Sequence, residues 1–468
     1  MAGTQTDEHV SLKLVVNAET NKVYFAEAGK DFVDVLFSFM TLPLGTIARL
    51  IDKDSKMGPI TLGSLNSLYH SVAHLDTQYK EMLLQPSNSA EDFCNTLKLN
   101  IDDTEPKKYF MCTAACYRSL LNDYCNTLRN CNCGRLLTHE VFLKHFSNGF
   151  VKDGTFIITD DLIVMPNSVD YATFSLFQNL GIRNPSSVKE MTINVTKEKV
   201  LDLLKCSLLS KSCLTDLLLE KKPTFQSSTF LSSRIENDSG IKFKLKLVIR
   251  KSNGKILYAQ GEKDFADMLL SFLTFPMGGV VGKLGGNSSV GSIDGLYKSI
   301  ADINENVYFM SKPAKNRLVD PCLLPHFKLS IKILPIPHPS IFRYYRYYEF
   351  INGICRVMIL KDGEHANSDG ELPEIELLYP ETPIAKAEGF VKGPAMYVAT
   401  DNLVVAPFSP ISALNFLNRL SIPFNDLKEK DVTIGLKECL NILKASLTTT
   451  SALTNGLRHL LTEVKEEK

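Results

Sequence analysis

The chain carries no excess of either charge: 52 Lys and Arg stand against 52 Asp and Glu in 468 residues. Binding nucleic acid along the whole chain would favour a marked basic surplus, so that class of partner is not expected. A polybasic membrane anchor is excluded on the same ground. Long apolar runs are missing too. The longest, residues 35–47 and 269–281, are broken by Ser, Thr, Pro and Gly, and fall short of the roughly 18 residues a membrane span needs. The first ten residues show neither a basic nor an apolar stretch, so no secretory signal is read there. Together these absences point to a soluble intracellular protein, cytoplasmic or nuclear. In a reducing compartment thiols stay reduced or bind metal, which suits an odd count of 11 cysteines better than a disulfide framework does. No Gly-x-Ser-x-Gly elbow is present to expose a catalytic serine.

What is present is ordinary globular composition, 44% hydrophobic and 22% charged, over a length that suits two to four domains. The strongest internal signal is a repeat. Lys30-Asp-Phe-Val-Asp-Val-Leu-Phe-Ser-Phe returns as Lys263-Asp-Phe-Ala-Asp-Met-Leu-Leu-Ser-Phe, and Leu42-Pro-Leu-Gly as Phe275-Pro-Met-Gly. Gly63-Ser-Leu-Asn-Ser-Leu-Tyr matches Gly291-Ser-Ile-Asp-Gly-Leu-Tyr, and Gly149-Phe-Val-Lys matches Gly389-Phe-Val-Lys. Leu203-Leu-Lys-Cys-Ser-Leu matches Ile442-Leu-Lys-Ala-Ser-Leu. Matches in the same order over so long a stretch mean tandem duplication of a whole domain rather than a short-period solenoid. The copies are expected at 10–222 and 241–465, joined by a Ser-rich linker at 223–240.

Each copy reads as α+β. Alternating apolar residues predict an opening β-hairpin, followed by a helix. Asp31 or Asp264 is expected at that helix's N-cap, with Asp34 or Asp267 three residues on, where carboxylates can accept from the free N–H groups of the first turn. Pro43 and Pro276 should end or kink it. A second helix is predicted near 65–75 and 293–303. Asp160-Asp161 and Asp401-Asn402 lie between β-rich runs and predict two-residue hairpin turns, because such side chains tolerate positive φ. Helices at 171–180 and 197–208, and at 412–420 and 436–447, should flank a short strand at the end of each copy.

At the Lys30, Leu42, Thr159-Asp-Asp-Leu and Leu203 motifs the chain resembles a plant family known only as a domain of unknown function, number 674. The resemblance runs over nearly the whole chain, supports the tandem reading and implies a plant source. The family being uncharacterised, it brings no catalytic residues. It does imply a Cys-rich segment in the first copy.

One constellation carries chemistry of its own. Within the segment 109–134, Cys112-Thr-Ala-Ala-Cys116 is followed by Cys131-Asn-Cys133-Gly134. Two close thiolate pairs are what a tetrahedral zinc requires, each turn offering two soft ligands. Gly134 suits such a turn through its access to positive φ. The Cys-x-Cys spacing is tighter than usual, and Cys125 and His139 stand nearby as spare ligands. The other reading is a cluster of buried thiols packing as small hydrophobes. The second copy keeps one cysteine in the corresponding region, Cys355, and gains an acidic loop, Lys361-Asp-Gly-Glu-His-Ala-Asn-Ser-Asp-Gly-Glu. The fold therefore does not need the metal twice.

Other patterns read as structural. His70 and His74 are one helical turn apart, yet a Ser replaces the Glu of a zinc protease and the second copy has Lys298 and Asp302. The glycines of 278–286 lack the spacing of a phosphate loop and read as a flexible connector. Arg343-Tyr-Tyr-Arg-Tyr-Tyr could stack single-stranded bases, but alternating Tyr also suits a half-exposed strand. None of the nine His is matched between copies. The expectation is a non-enzymatic interaction or scaffold module with a protein partner and a structural zinc. The alternatives are an enzyme with a site between the copies, then a single-strand nucleic-acid binder. No small-molecule substrate follows from the sequence.

Overall fold

A computed structural model describes residues 8–77, 79–105, 108–112, 119–122, 130–131, 133–143, 149–167, 173–221, 242–323, 344–351, 353–361, 373–377, 389–393 and 395–461. The linker at 223–240 and the acidic loop after Lys361 lie outside them. In the first half the strands are β1 (Val10–Asn17), β2 (Val23–Gly29), β3 (Tyr109–Cys112), β4 (Ser119–Asn122), β5 (Leu137–Leu143), β6 (Thr155–Thr159), β7 (Val164–Pro166) and β8 (Val188–Val195). In the second half they are β9 (Phe243–Arg250), β10 (Ile256–Glu262), β11 (Tyr344–Ile351), β12 (Ile354–Lys361), β13 (Glu374–Leu377), β14 (Met396–Thr400), β15 (Val405–Pro407) and β16 (Leu427–Ile434). The class is mixed α+β. One antiparallel sheet runs β7-β6-β2-β1-β8 and a second runs β15-β14-β10-β9-β16, so the matched stretches of sequence take matched places. Alternation explains the faces: in β1, Val10, Leu12, Leu14 and Val16 are buried while Ser11 and Lys13 face solvent.

The predicted helices form with adjusted ends. The first spans Lys30–Ser38, or Lys263–Ser271, and continues as a short 3-10 turn. Its N-caps are Gly29 and Glu262 without a side-chain capping bond, so Asp31 and Asp264 lie inside the first turn instead of capping it. Pro43 and Pro276 each precede a new helix, Leu44–Ile51 and Met277–Lys283, for which proline's fixed φ is a good start. The Asp160 and Asp401 turns are also corrected. They are three-residue loops whose left-handed residue is Leu162 (φ 64) or Leu403 (φ 63), with Leu162 N–H donating to Thr159 O at 2.9 Å. Asp160 is spent elsewhere: its carboxylate accepts from the N–H and hydroxyl of Thr215, each at 2.8 Å.

The glycines after Pro276 are not a connector. Gly278 sits in the helix Met277–Lys283, where a Cβ would come within 2.0 Å of Leu318 O. Helix backbone meets neighbouring backbone there, and only glycine permits the approach.

The two halves interlock through the repeated motifs. Leu44 N–H donates to Phe275 O (2.9 Å) and Met277 N–H to Leu42 O (3.0 Å), so the two Pro-containing motifs exchange bonds. Ser64 N–H donates to Ser446 O (2.8 Å) and Ser292 N–H to Ser207 O (2.9 Å). Gly63 and Gly291 precede these serines with φ of 49° and 41°, and a Cβ on either would lie within 2.4 Å of the same carbonyls. One continuous apolar core contains Leu12, Phe37 and Leu204 from the first half with Leu247, Phe272 and Leu443 from the second.

The remaining strands close a six-stranded barrel in the order β11-β12-β5-β3-β4-β13, three from each half. The seams between halves are parallel: Met358 faces Phe142 across β12 and β5, and Glu376 faces Ser119 across β13 and β4. Inside sit Tyr109, Met111, Val141, Tyr344, Ile359 and Ile375. Closing a sheet on itself removes its open edges. Among the described residues, no helix is long and apolar enough to cross a membrane.

Candidate metal centre

Strand β3 ends on Cys112, and the chain re-enters the barrel through a tight turn ahead of β5. Gly134 N–H donates to Cys131 O at 2.8 Å, and Cys131 N–H donates to Arg135 O at 2.7 Å. Gly134 adopts φ of 83°, the positive value expected of it. Met111 pairs with His139 but Cys112 pairs with Leu137, so Thr138 is an extra residue, a bulge that shifts the register beside the turn. The turn and the bulge bring Cys112, Cys131 and Cys133 together, with all three sulfur atoms within 4.8 Å of one another. The Sγ atoms of Cys112 and Cys133 are 4.0 Å apart. Ligands 2.3 Å from a tetrahedral zinc lie about 3.8 Å apart, so small side-chain adjustments suffice to seat the ion.

Cys112 and Cys131 are buried, whereas Cys133 is exposed, so the cluster opens to solvent on one side. Three soft sulfur donors suit zinc better than magnesium or calcium, which take oxygen. Two of the expected fourth ligands, Cys116 and Cys125, lie outside the described residues. His139 is exposed on β5 and does not belong to the group of three. Cys94, Cys206, Cys213 and Cys439 behave differently. Each is buried, and burial pushes its thiol far above the ordinary range, leaving it a packing residue with no reactive thiolate.

The other sequence candidates take structural places. His70 Nε2 lies 2.6 Å from Asp52 on an exposed helix face and does not belong to the group of three thiols. In β11, Tyr344 is buried in the barrel and Arg346 lies over the ring of Tyr348, 5.5 Å from its centroid. Arg343 lies outside the described residues.

Asp34 and Asp267 do not cap the backbone N–H groups of their own helix. Asp34 Oδ1 accepts from the N–H groups of Phe150 (2.7 Å) and Val151 (2.8 Å), while Oδ2 accepts from Lys30 Nζ (2.6 Å). Asp267 accepts from Phe390 and Val391 in the same way, with Lys263 Nζ at 3.1 Å. This joins two repeated motifs into one clamp. It also explains Gly149 and Gly389, whose added Cβ would meet the carboxylate at 2.0 or 1.7 Å.

Sequence reasoning missed a further buried group. Lys205 is fully buried in the helix Lys197–Leu209, and its ammonium donates to Lys53 O, Ser55 Oγ and Gly58 O, each at 2.7 Å. Lys444 holds the matching place and is also buried. The signal was available: a lysine recurs at one position within two matched apolar helix motifs.

No curated protein and no solved structure matches the chain. The family model described as protein of unknown function (DUF674) matches residues 6–437, including both five-stranded sheets, the barrel and the thiol turn. The chain belongs to this family.

Proposed function

We propose that the chain is a non-enzymatic interaction or scaffold protein whose first half carries a structural zinc, held by Cys112, Cys131 and Cys133 and completed by Cys116. The observation that carries this reading is the convergence of three thiols beside a barrel built by both halves. Four thiolates leave a tetrahedral zinc no open position, so the ion braces the turn and takes no part in catalysis. The second half contributes its three barrel strands without an equivalent cysteine set, which supports a local brace. The matched carboxylates favour the same reading, because Asp34, Asp267 and Asp160 are each engaged by backbone N–H groups. A reducing intracellular compartment, in a plant, would keep the thiols ready for metal.

In this reading the halves, 10–222 and 241–465 about the 223–240 linker, are copies of one ancestral domain. The shared order of the two five-stranded sheets supports it. The partner is a protein, bound on the surface of one half.

Elemental analysis of the purified chain tests the zinc. The expected result is one zinc per chain, lost in Cys112→Ser and Cys133→Ser, with far-UV circular dichroism retained and only the barrel end loosened. Metal-free protein whose four thiols titrate as ordinary free cysteines would overturn it.

A further inference from the structure

The outer faces of the two five-stranded sheets differ. In the second, Val248, Tyr258 and Leu417 form a buried cluster, and Phe416 packs edge-on to Tyr258 with ring centroids 6.2 Å apart. In the first, a cleft of about 260 Å³ opens between the sheet and the helix Thr173–Asn179, walled by Phe25, Glu27, Ile157, Met165, Leu176 and Phe177. Counted back from the residues of positive φ that follow the two helices, Gly181 and Ser421, Leu176 stands in the place of Phe416. The first face is partly filled as well, since Phe177 stacks on Phe25 with ring centroids 6.3 Å apart, and among the described residues the cleft remains beside that pair, where the smaller Leu176 replaces Phe416.

Among the described residues, Glu27 is the one ionisable residue of the lining. Its carboxylate makes no hydrogen bond or ion pair among the described residues; Lys13 stands opposite it in the strand register without pairing to it. The corresponding position across from Lys246 is Gln260. The charge thus belongs to the cleft and is missing from the matching face of the second sheet.

We propose that this cleft binds a small aryl-alkyl ammonium compound. The walls are apolar apart from Glu27 and Asn167, which suits a ligand with an apolar body and a polar end, and the carboxylate is best answered by a cation that donates N–H bonds. Phe25 and Phe177, stacked on one another, give the cleft an aromatic wall for the ligand's apolar body. An anionic ligand would meet Glu27 unfavourably. This proposal is independent of the thiol cluster.

Ligand-observed NMR on the full chain, with 2-phenylethylamine as the probe, tests it. Saturable binding is expected, with 2-phenylethanol weaker by roughly tenfold, the worth of one charge-assisted hydrogen bond, and 3-phenylpropionate not binding. Glu27→Gln should bring the amine down to the level of the alcohol. Gln stands at the matching place in the second sheet, so the variant is expected to fold, which circular dichroism checks. Leu176→Phe should close the cleft and remove both ligands. Equal binding of amine and alcohol, amine binding unchanged in Glu27→Gln, or no saturable amine binding would each overturn the proposal.

Discussion

The side chain of Asp267 sits in a small polar clamp, receiving two backbone N–H bonds and the Lys263 ammonium while almost wholly removed from water. Burial dominates these favourable contacts and raises its pKa from 3.8 to about 6. Asp34 is pushed upward for the same reason. Between the unfolded and folded values the folded chain holds more of the proton, so this group's contribution to stability is fully present below 3.8 and is lost as pH rises through about 6. Urea denaturation near pH 4 and pH 7 should therefore show wild type losing on the order of 3 kcal/mol relative to Asp267→Asn over that interval. Parallel pH profiles for the two proteins would show that the clamp holds an ordinary carboxylate. Lys205 illustrates the companion rule: its buried charge is tolerated because three acceptors replace its water.

Elements in this protein are positioned by backbone contacts that glycine permits. The helix Met277–Lys283 lies against Leu318 O and Met40 O, at 2.0 and 3.1 Å from an added Cβ on Gly278. Gly278→Ala should lower stability by about 2–3 kcal/mol through overpacking, read as a fall in the urea midpoint. In a flexible connector the same change would be neutral or slightly stabilising, since alanine restricts the unfolded chain. The thiol turn follows related logic. Gly134 turns the chain and the bulge at Thr138 offsets β5 against β3, so Cys112 meets the neighbouring pair Cys131 and Cys133 at one end of a strand pair. Spacing made the cysteines visible as a candidate set. The bulge was not legible, because nothing in the pattern Leu137-Thr-His marks a one-residue shift in pairing.

At the scale of the whole molecule, the halves share a core and a barrel, and exchange backbone bonds at both Pro-containing motifs and both Gly-Ser motifs. Separating them would expose apolar surface and break the barrel into two three-stranded pieces with open edges. Residues 1–222 and 241–468 expressed alone should therefore be aggregated or unfolded, and should recover native circular dichroism only when refolded together. Independent cooperative unfolding of either piece would show that the shared core is dispensable.

The sequence by itself determined the class, the repeated elements and the candidate cysteines. Alternation and helical periodicity are local, and they survive wherever a segment docks. Helix extents were legible to within a few residues, as for Lys197–Leu209 and Leu436–Thr448. Only the tertiary structure decided what the repeated motifs do. Asp34 looked like a helix-capping residue because its partners, Phe150 and Val151, are far away in sequence. Gly278 looked like part of a flexible connector because the carbonyls it faces, of Leu318 and Met40, come from distant segments. Long-range pairing depends on how layers stack, and a single chain's pattern does not record which distant surface will lie opposite. The even charge balance argued against a polyanion as partner; the cleft beside Glu27, visible only once the sheet and helix are placed, points instead to a small cation.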